Sequence, residues 1–461
     1  MDFKIINKTP LYNSFSDIGK RIFLPDGIFH WSGRAKQEAE LIGTLGTAYG
    51  YEKDFIDGGS EEWMPCYLAI INHYLKNLKI QDLVPYSSIA GQLNLREIWK
   101  KWIIKKSHFY ESGEGNKIKC LRKNITTPIV TAGVTNGIFL SSMMFLNSGD
   151  LIVVPNKRWG NYDNILTKLI GARIKNFDFF DGQRINTSGM KSALLSVAEE
   201  QVKMVLILNF PNNPTGYVPT REEAEEIIEV LKDVQAETSK PIIVLVDDAY
   251  EPYVFREDVI QRSLFYDLQQ LEEDIIPVKL DGITKELLVY GGRVGFITIG
   301  LKSSWVENDD ELEILKVEIE NKLSGFNRSS ISNCNSYYQS ISTKLFSEHG
   351  IDKIIKNRNK VKDVLNERFE LINSELTKLD YKWVSLDPNS GGFFVFLNLD
   401  RNKIRATNFA DHLLREYKVG VIPIENEDTN LNGIRMAYCS IDLDNIPEFV
   451  KRIKKALKDF S

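Results

Sequence analysis

Three short, unbroken apolar runs constrain the fold of this chain more than any other feature. Leu151-Ile152-Val153-Val154, Met204-Val205-Leu206-Ile207-Leu208 and Ile242-Ile243-Val244-Leu245-Val246 are of strand length, and none alternates with polar residues as a strand with one wet face would. Each reads as a strand buried on both faces. Between the last two, Thr220 and Glu223 have the spacing of a capping box, and Ala224, Ile227, Ile228, Leu231 and Val234 make one apolar helix face. Strand–helix–strand order with burial on both faces predicts an α/β fold, a mostly parallel sheet covered by helices. Ligands of such sheets bind beyond the carboxyl ends of the strands. Asn209 to Gly216 and Asp247 to Tyr250 each follow a strand directly, so both belong at that edge.

After about residue 303 the pattern changes. Long charged helical stretches run from Asn308 to Lys322 and from Asp352 to Lys378, followed by the strand-like Gly392 to Leu397. A terminal helix carries Ile446, Phe449, Val450, Ile453 and Leu457 on one face. This second region reads as a smaller α+β lobe, and the first 60 residues show no strong period. The net charge of -5, with both signs spread along the chain, argues against a nucleic-acid surface. No apolar run approaches the ~18 residues of a membrane span. Met1-Asp2-Phe3-Lys4 does not begin a secretory leader. Cys66, Cys120, Cys334 and Cys439 are too scattered for a zinc site or a disulfide framework, so a reducing, cytoplasmic setting is expected. The histidines have no metal-ligand spacing.

The chemistry gathers around Lys285, in Asp281-Gly282-Ile283-Thr284-Lys285. Arg293 follows in Gly291-Gly292-Arg293, and upstream lie Asn209-Phe210-Pro211-Asn212-Asn213-Pro214-Thr215-Gly216 and Val246-Asp247-Asp248-Ala249-Tyr250. A lysine, a carboxylate, an amide, a phenol and an arginine beside strand ends are the parts needed to hold pyridoxal phosphate. An uncharged lysine amine forms a Schiff base with an aldehyde. A carboxylate keeps a pyridine nitrogen protonated, so that the ring withdraws electrons from a substrate carbanion. Asp247 and Asp248 compete for that carboxylate role, and strand alternation sends them to opposite sides. Thr131-Ala132-Gly133-Val134-Thr135-Asn136-Gly137 opens an apolar helix, whose free amides suit a phosphate.

As an ordered set these segments resemble the fold-type-I aminotransferases of class I/II, with a flavour similar to bacterial aspartate/aromatic-type homologues. The resemblance spans roughly residues 40 to 455 and implies a large pyridoxal-phosphate-binding domain over 63–345. It also implies a C-terminal small domain over 346–461, joined by an N-terminal arm over 1–62. It assigns Asp247 to the pyridinium nitrogen through Asp-x-x-Tyr, and Tyr250 and Asn213 to the phenolate oxygen. Trp159 matches the aromatic stacked on the ring, while Gly133, Val134, Thr135, Thr284 and Arg293 match cofactor and phosphate positions. Tyr86 matches a tyrosine that reaches the phosphate from the other subunit of a homodimer. Gly46 resembles a glycine over the substrate, and Arg435 the arginine that grips the α-carboxylate. Arg328 resembles an arginine from the partner that binds a distal carboxylate. The chain departs from the family at Gly282, where a serine to the phosphate is common.

The implied reaction is transfer of an amino group between an L-amino acid and a 2-oxo acid by a ping-pong mechanism through a Lys285 Schiff base. A pyridoxal-phosphate lyase, decarboxylase or oxidase would use the same apparatus, since fold does not decide reaction. A cofactor-binding regulator with a DNA-binding segment is disfavoured, because the first 60 residues contain no basic recognition helix.

Overall fold

The computed structural model describes residues 6–8, 12, 14–22 and 27–460. Met1 to Lys4, on which the expectation of no secretory leader rests, lie outside them. The centre of the molecule is a seven-stranded sheet. Its strands are β1 (Ile129–Thr131), β2 (Leu151–Pro155), β3 (Arg173–Phe177), β4 (Met204–Asn209), β5 (Ile242–Asp247), β6 (Ile275–Gly282) and β7 (Gly295–Ile299). They lie in the order β1-β7-β6-β5-β4-β2-β3. Only β7 runs against its neighbours. The three apolar runs are β2, β4 and β5, as their composition predicts.

Alternation along β5 shows why these strands carry no polar face. Ile243 and Leu245 pack with Ile138 of α2 (Val134–Phe145) on one side. Val244 and Val246 pack on the other with α1 (Leu93–Lys106), α3 (Thr187–Glu200) and α4 (Arg221–Thr238). The capping box of α4 forms, with Thr220 Oγ1 accepting from Glu223 N at 3.2 Å and Glu223 Oε2 accepting from Thr220 N at 2.7 Å.

Two helices lead to the smaller unit: α5 (Asp309–Ser330) and α6 (Ser336–Leu376), the latter broken at Gly350, whose φ is 73°. The sequence pattern starts this helix at Asp352, which is where its second part resumes after the glycine. The second sheet contains β8 (Val384–Leu386), β9 (Val395–Leu399), β10 (Ile422–Asn426) and β11 (Leu431–Met436). All of its pairings are antiparallel, in the order β8-β9-β11-β10. It is covered by α7 (Ala406–Tyr417) and α8 (Ile446–Lys458), and α8 buries all five residues of the face read from sequence. Residues near the two chain ends meet here, for Leu41–Ile42 pairs in parallel with Val419–Gly420.

The strand expected from Gly392 begins only at Val395. Gly392 has φ 72°, and its N–H donates to Tyr253 O at 2.7 Å, while Ser390 and Gly391 donate to Gly216 O. These bonds tie the small sheet to the loops after β4 and β5 in place of sheet pairing. Among the described residues no helix is long and apolar enough to cross a membrane, and all four cysteines are free.

Candidate active site

The site is built at the carboxyl ends of β4, β5 and β6. Asp247 ends β5 and is buried. Its Oδ2 accepts from Tyr162 Oη at 2.5 Å, and its Oδ1 accepts from Ala249 N at 3.2 Å. Among the described residues it forms no ion pair. Burial pushes its carboxyl above the usual range, against the pull of the Tyr162 bond and the Lys285 charge. Asp248 turns the other way and pairs with Lys279, so alternation separates the two acids as the sequence requires. On β4, Asn209 Nδ2 donates to Asp247 O at 2.8 Å, and its Oδ1 accepts from Asn213 N at 2.9 Å. The Asn213 loop is thereby pinned to the end of β5.

Lys285 lies in a single helical turn, Ile283–Glu286, directly after β6. Its carbonyl accepts from Tyr253 Oη at 2.9 Å, and its Nζ lies 4.9 Å from the centre of the Tyr250 ring. Among the described residues no hydrogen bond to this amine occurs. Burial, aided by the Arg293 charge and opposed by Asp247, brings its pKa down to about 8. The family departure at Gly282 has a steric cause: a Cβ there would lie 2.7 Å from Val294 O.

Gly133 caps the start of α2 with φ 85°, and the first N–H groups of that helix have no intrahelical acceptor. The Arg293 guanidinium packs so closely that a Cβ on Gly133 would lie 2.3 Å from its Nη2. Arg293 itself is exposed and makes only 3.4 Å bonds, to Tyr290 O and Ala132 O. A cation and a helix N-terminus therefore face one cavity, which Thr135 also lines. Thr284 is buried beside Lys285.

Arg435, on β11, is buried and stacks 4.3 Å from the Phe394 ring centre. Its Nη2 donates to Thr44 O at 2.7 Å and its Nη1 to Asn213 Oδ1 at 3.1 Å. Its Nε is buried without a partner among the described residues. Burial lowers its pKa to about 10. At Gly46 a Cβ would lie 2.7 Å from Phe394 Cζ and 3.4 Å from Tyr250 Oη, so the N-terminal segment, the large sheet and the small sheet converge here. Tyr250 is buried with Phe393 and Phe394 edge-on to its ring, and burial raises its phenol. Trp159 stands edge-on to Tyr162, with ring centres 5.6 Å apart.

Two expected residues are not brought to this cluster within the chain. Tyr86 is 91% exposed, and Arg328 is exposed at the end of α5, where it donates to Ser332 Oγ at 2.5 Å. Tyr162, Asn209, Tyr253 and Phe394 enter the site without having been singled out from sequence. For two of them the sequence offered a signal: Asn209 opens the run that follows a strand, and Tyr162 stands with Trp159 as an aromatic pair just beyond a strand end.

Residues 77–453 match the family described as aminotransferase class I and II. The chain is 24% identical over 393 residues to a probable aspartate/prephenate aminotransferase of Aquifex aeolicus, covering 81% of this chain and 84% of that protein. Among solved structures it is similar to an aminotransferase from Anaerococcus prevotii, with a TM-score of 0.77 at 22% identity over 96% of this chain and 98% of that one. The kynurenine aminotransferase of Pyrococcus horikoshii, solved with PMP, gives a TM-score of 0.76 at 17% identity, covering 98% of each chain. These likenesses are of fold, and with them the seven-stranded sheet and its smaller partner are a fold-type-I architecture.

The chain belongs to the class I and II aminotransferase family. It is an enzyme of pyridoxal-phosphate-dependent amino-group transfer, and the lyase, decarboxylase and oxidase readings are not favoured. The residues present fit that cofactor. An unpaired amine, a buried carboxylate without a cation and an exposed arginine facing a helix N-terminus are complementary to an aldehyde, a pyridinium and a phosphate.

Proposed function

We propose that this enzyme moves an amino group between an L-amino acid and a 2-oxo acid by a ping-pong sequence with Lys285 as the working amine. The observation that carries this reading is an unpaired Lys285 Nζ whose pKa lies at about 8, beside Tyr250 and within the field of Asp247. Lys285 would hold the cofactor through its aldehyde, Asp247 through its ring nitrogen, and Asn213 and Tyr250 through its phenolic oxygen. Trp159 would cover the ring face. Gly133, Val134, Thr135, Thr284 and Arg293 would hold the phosphate end, with Tyr86 supplied by a second copy. When bound, the cofactor supplies the electron sink for a carbanion.

The protein's share of the work is binding and proton movement. Arg435 offers a planar fork to the substrate α-carboxylate, and its unpartnered Nε supports that assignment. The Gly46 backbone, packed against Phe394 and Tyr250, would lie over a bound amino acid. Lys285 Nζ, uncharged above about pH 8, takes the proton from the substrate α-carbon.

The working unit is a homodimer in the cytoplasm. One segment exposes Ile80, Val84, Tyr86, Ile89 and Leu93, an apolar surface that supports a second copy covering it. Four free cysteines support a reducing compartment. Arg328, contributed across that interface, would select a dicarboxylate as one partner. The division into 1–62, 63–345 and 346–461 is supported by the pairing of Leu41–Ile42 with Val419–Gly420, although its second boundary falls inside α6, ahead of the break at Gly350.

The test supplies amino acid alone to the loaded enzyme under single-turnover conditions. Stoichiometric pyridoxamine phosphate is expected, and catalytic release of ammonia or hydrogen peroxide would overturn the reading. In Lys285→Ala a borohydride-reducible adduct should be absent.

A further inference from the structure

The groups assigned to the chemistry at the strand ends are each followed in sequence by a buried acid: Asp247 by Asp248, Tyr250 by Glu251 and Lys285 by Glu286. All three acids turn into one ionic network behind the site. Lys279, fully buried on β6, bridges Asp248 and Glu251, with 2.9 Å to Glu251 Oε2. Lys106, the last residue of α1, lies 2.6 Å from Glu251, 3.3 Å from Asp281 and 3.5 Å from Glu286. Arg358 closes the far side on Glu286 at 2.8 Å.

Neutral donors add one further hydrogen bond to each acid. Trp102 Nε1 donates to Glu286 at 2.8 Å and Trp99 Nε1 to Asp281 at 2.9 Å. Tyr266 Oη donates to Glu251 at 3.0 Å and Ser263 Oγ to Asp248 at 2.7 Å. A network of this kind is a poor source of stability, because desolvation offsets the attraction between its charges. Apart from Arg358 Nε, which is buried without a partner among the described residues, its charged groups are paired, and such a network favours one arrangement. The acids that Lys279 and Lys106 hold come from two segments, Asp248–Glu251 and Asp281–Glu286, and each acid lies one residue or one turn from a site group.

We propose that Lys279 and Lys106 are positioning residues for amino transfer: through the buried acids they lock the Asp247–Tyr250 turn to the β6–Lys285 segment. Lys285 Nζ then meets the Asp247 and Tyr250 groups in a single geometry. This rests on the reading of Lys285, Asp247 and Tyr250 as the working groups. Asp248 is raised by burial, with Lys279 opposing and Glu251 adding to the rise, as expected where four acids share three cations.

The test compares two variants with the wild-type holoenzyme. Lys279→Met/Asp248→Asn removes an ion pair as a unit and leaves Glu251 with Lys106, and Asp248→Asn alone is isosteric. Both are expected to load pyridoxal phosphate and show its visible band. In both, kcat should fall roughly 10- to 100-fold, as for a misplaced reacting group, while KM for the amino donor stays within about threefold. In Asp248→Asn the pH at which the visible band titrates should fall by about half a unit, because a negative charge behind the site has been removed, whereas the double variant removes a neutral pair and should shift it less. If the double variant does not fold, Asp248→Asn decides on the same readouts. A folded, loaded variant whose kcat matches wild type overturns the proposal, as do an unmoved band titration in Asp248→Asn and failure of both variants to load cofactor. A borohydride-fixed covalent adduct in Lys285→Ala would instead sink the underlying reading.

Discussion

The Tyr162 phenol donates to Asp247 at 2.5 Å, so among the described residues the acid at the end of β5 is answered by a neutral hydroxyl and by no ion-paired cation. The carboxylate keeps its charge available for a cationic ligand, and the hydroxyl restrains the rise that burial imposes. Removing Tyr162 Oη lets the Asp247 pKa climb further. In Tyr162→Phe the acid limb of the kcat/KM profile should move to higher pH by about 1–2 units, the size of a hydrogen bond to a charged group. An unmoved acid limb would show that this bond does not tune Asp247.

Lys285 titrates at about 8 because its amine is buried with Arg293 nearby. A lowered lysine pKa means that the reactive, uncharged form is gained as pH rises through 8. The rate at which apoenzyme takes up pyridoxal phosphate should therefore climb from pH 6 and level off above about pH 9. Stopped-flow absorbance of reconstitution measures this, and a flat profile would contradict the depressed amine.

Arg435 spends Nη1 on Asn213 and Nη2 on Thr44, and its Nε is free. Arg435→Ala should lower kcat/KM for amino acids by roughly 10- to 100-fold, the value of a charge-assisted bond. Amines without a carboxylate should lose little, and cofactor affinity should hold. Equal losses for both substrate types would remove the arginine from carboxylate recognition.

At Gly133 the chain needs φ 85°, and a Cβ would displace Arg293. Gly133→Ala should cost the fold about 1–2 kcal/mol in strain. Affinity of the apoenzyme for pyridoxal phosphate should fall by more than about tenfold, since the cation leaves the helix N-terminus. Fluorescence titration of the apoenzyme gives the affinity, and an unchanged value would dissociate this loop from the phosphate.

Lys157, in the loop after β2, holds Asp387 of the small unit at 2.6 Å, and both are largely buried. Lys157→Met leaves an unpaired buried carboxylate and should destabilise the protein by about 3–5 kcal/mol. Adding Asp387→Asn should recover much of that loss. Urea unfolding of the single and double variants checks both, and a single variant as stable as wild type would show that the bridge is solvated.

Local pattern is legible where one segment suffices to state it. The runs at Leu151, Met204 and Ile242 could only be two-sided strands, and their ends pointed to Asp247 and Asn213. The Thr220–Glu223 box and the α8 stripe likewise follow from spacing alone. Gly392 to Phe394 misled, because glycine bonds to Tyr253 and Gly216 replaced the strand pairing that their apolar character suggests.

The sequence by itself determined the fold class and singled out a lysine, an acid, an amide, a phenol and two arginines, Arg293 and Arg435, as candidates, since each stands in a short motif. Tertiary structure alone decided what surrounds them. Tyr162 reaches Asp247 across 85 residues of chain, and Lys106 reaches Glu251 across 145. No periodicity encodes such pairs. They form because parallel strands bring distant segments to one edge, where burial makes an unpaired charge or polar group costly.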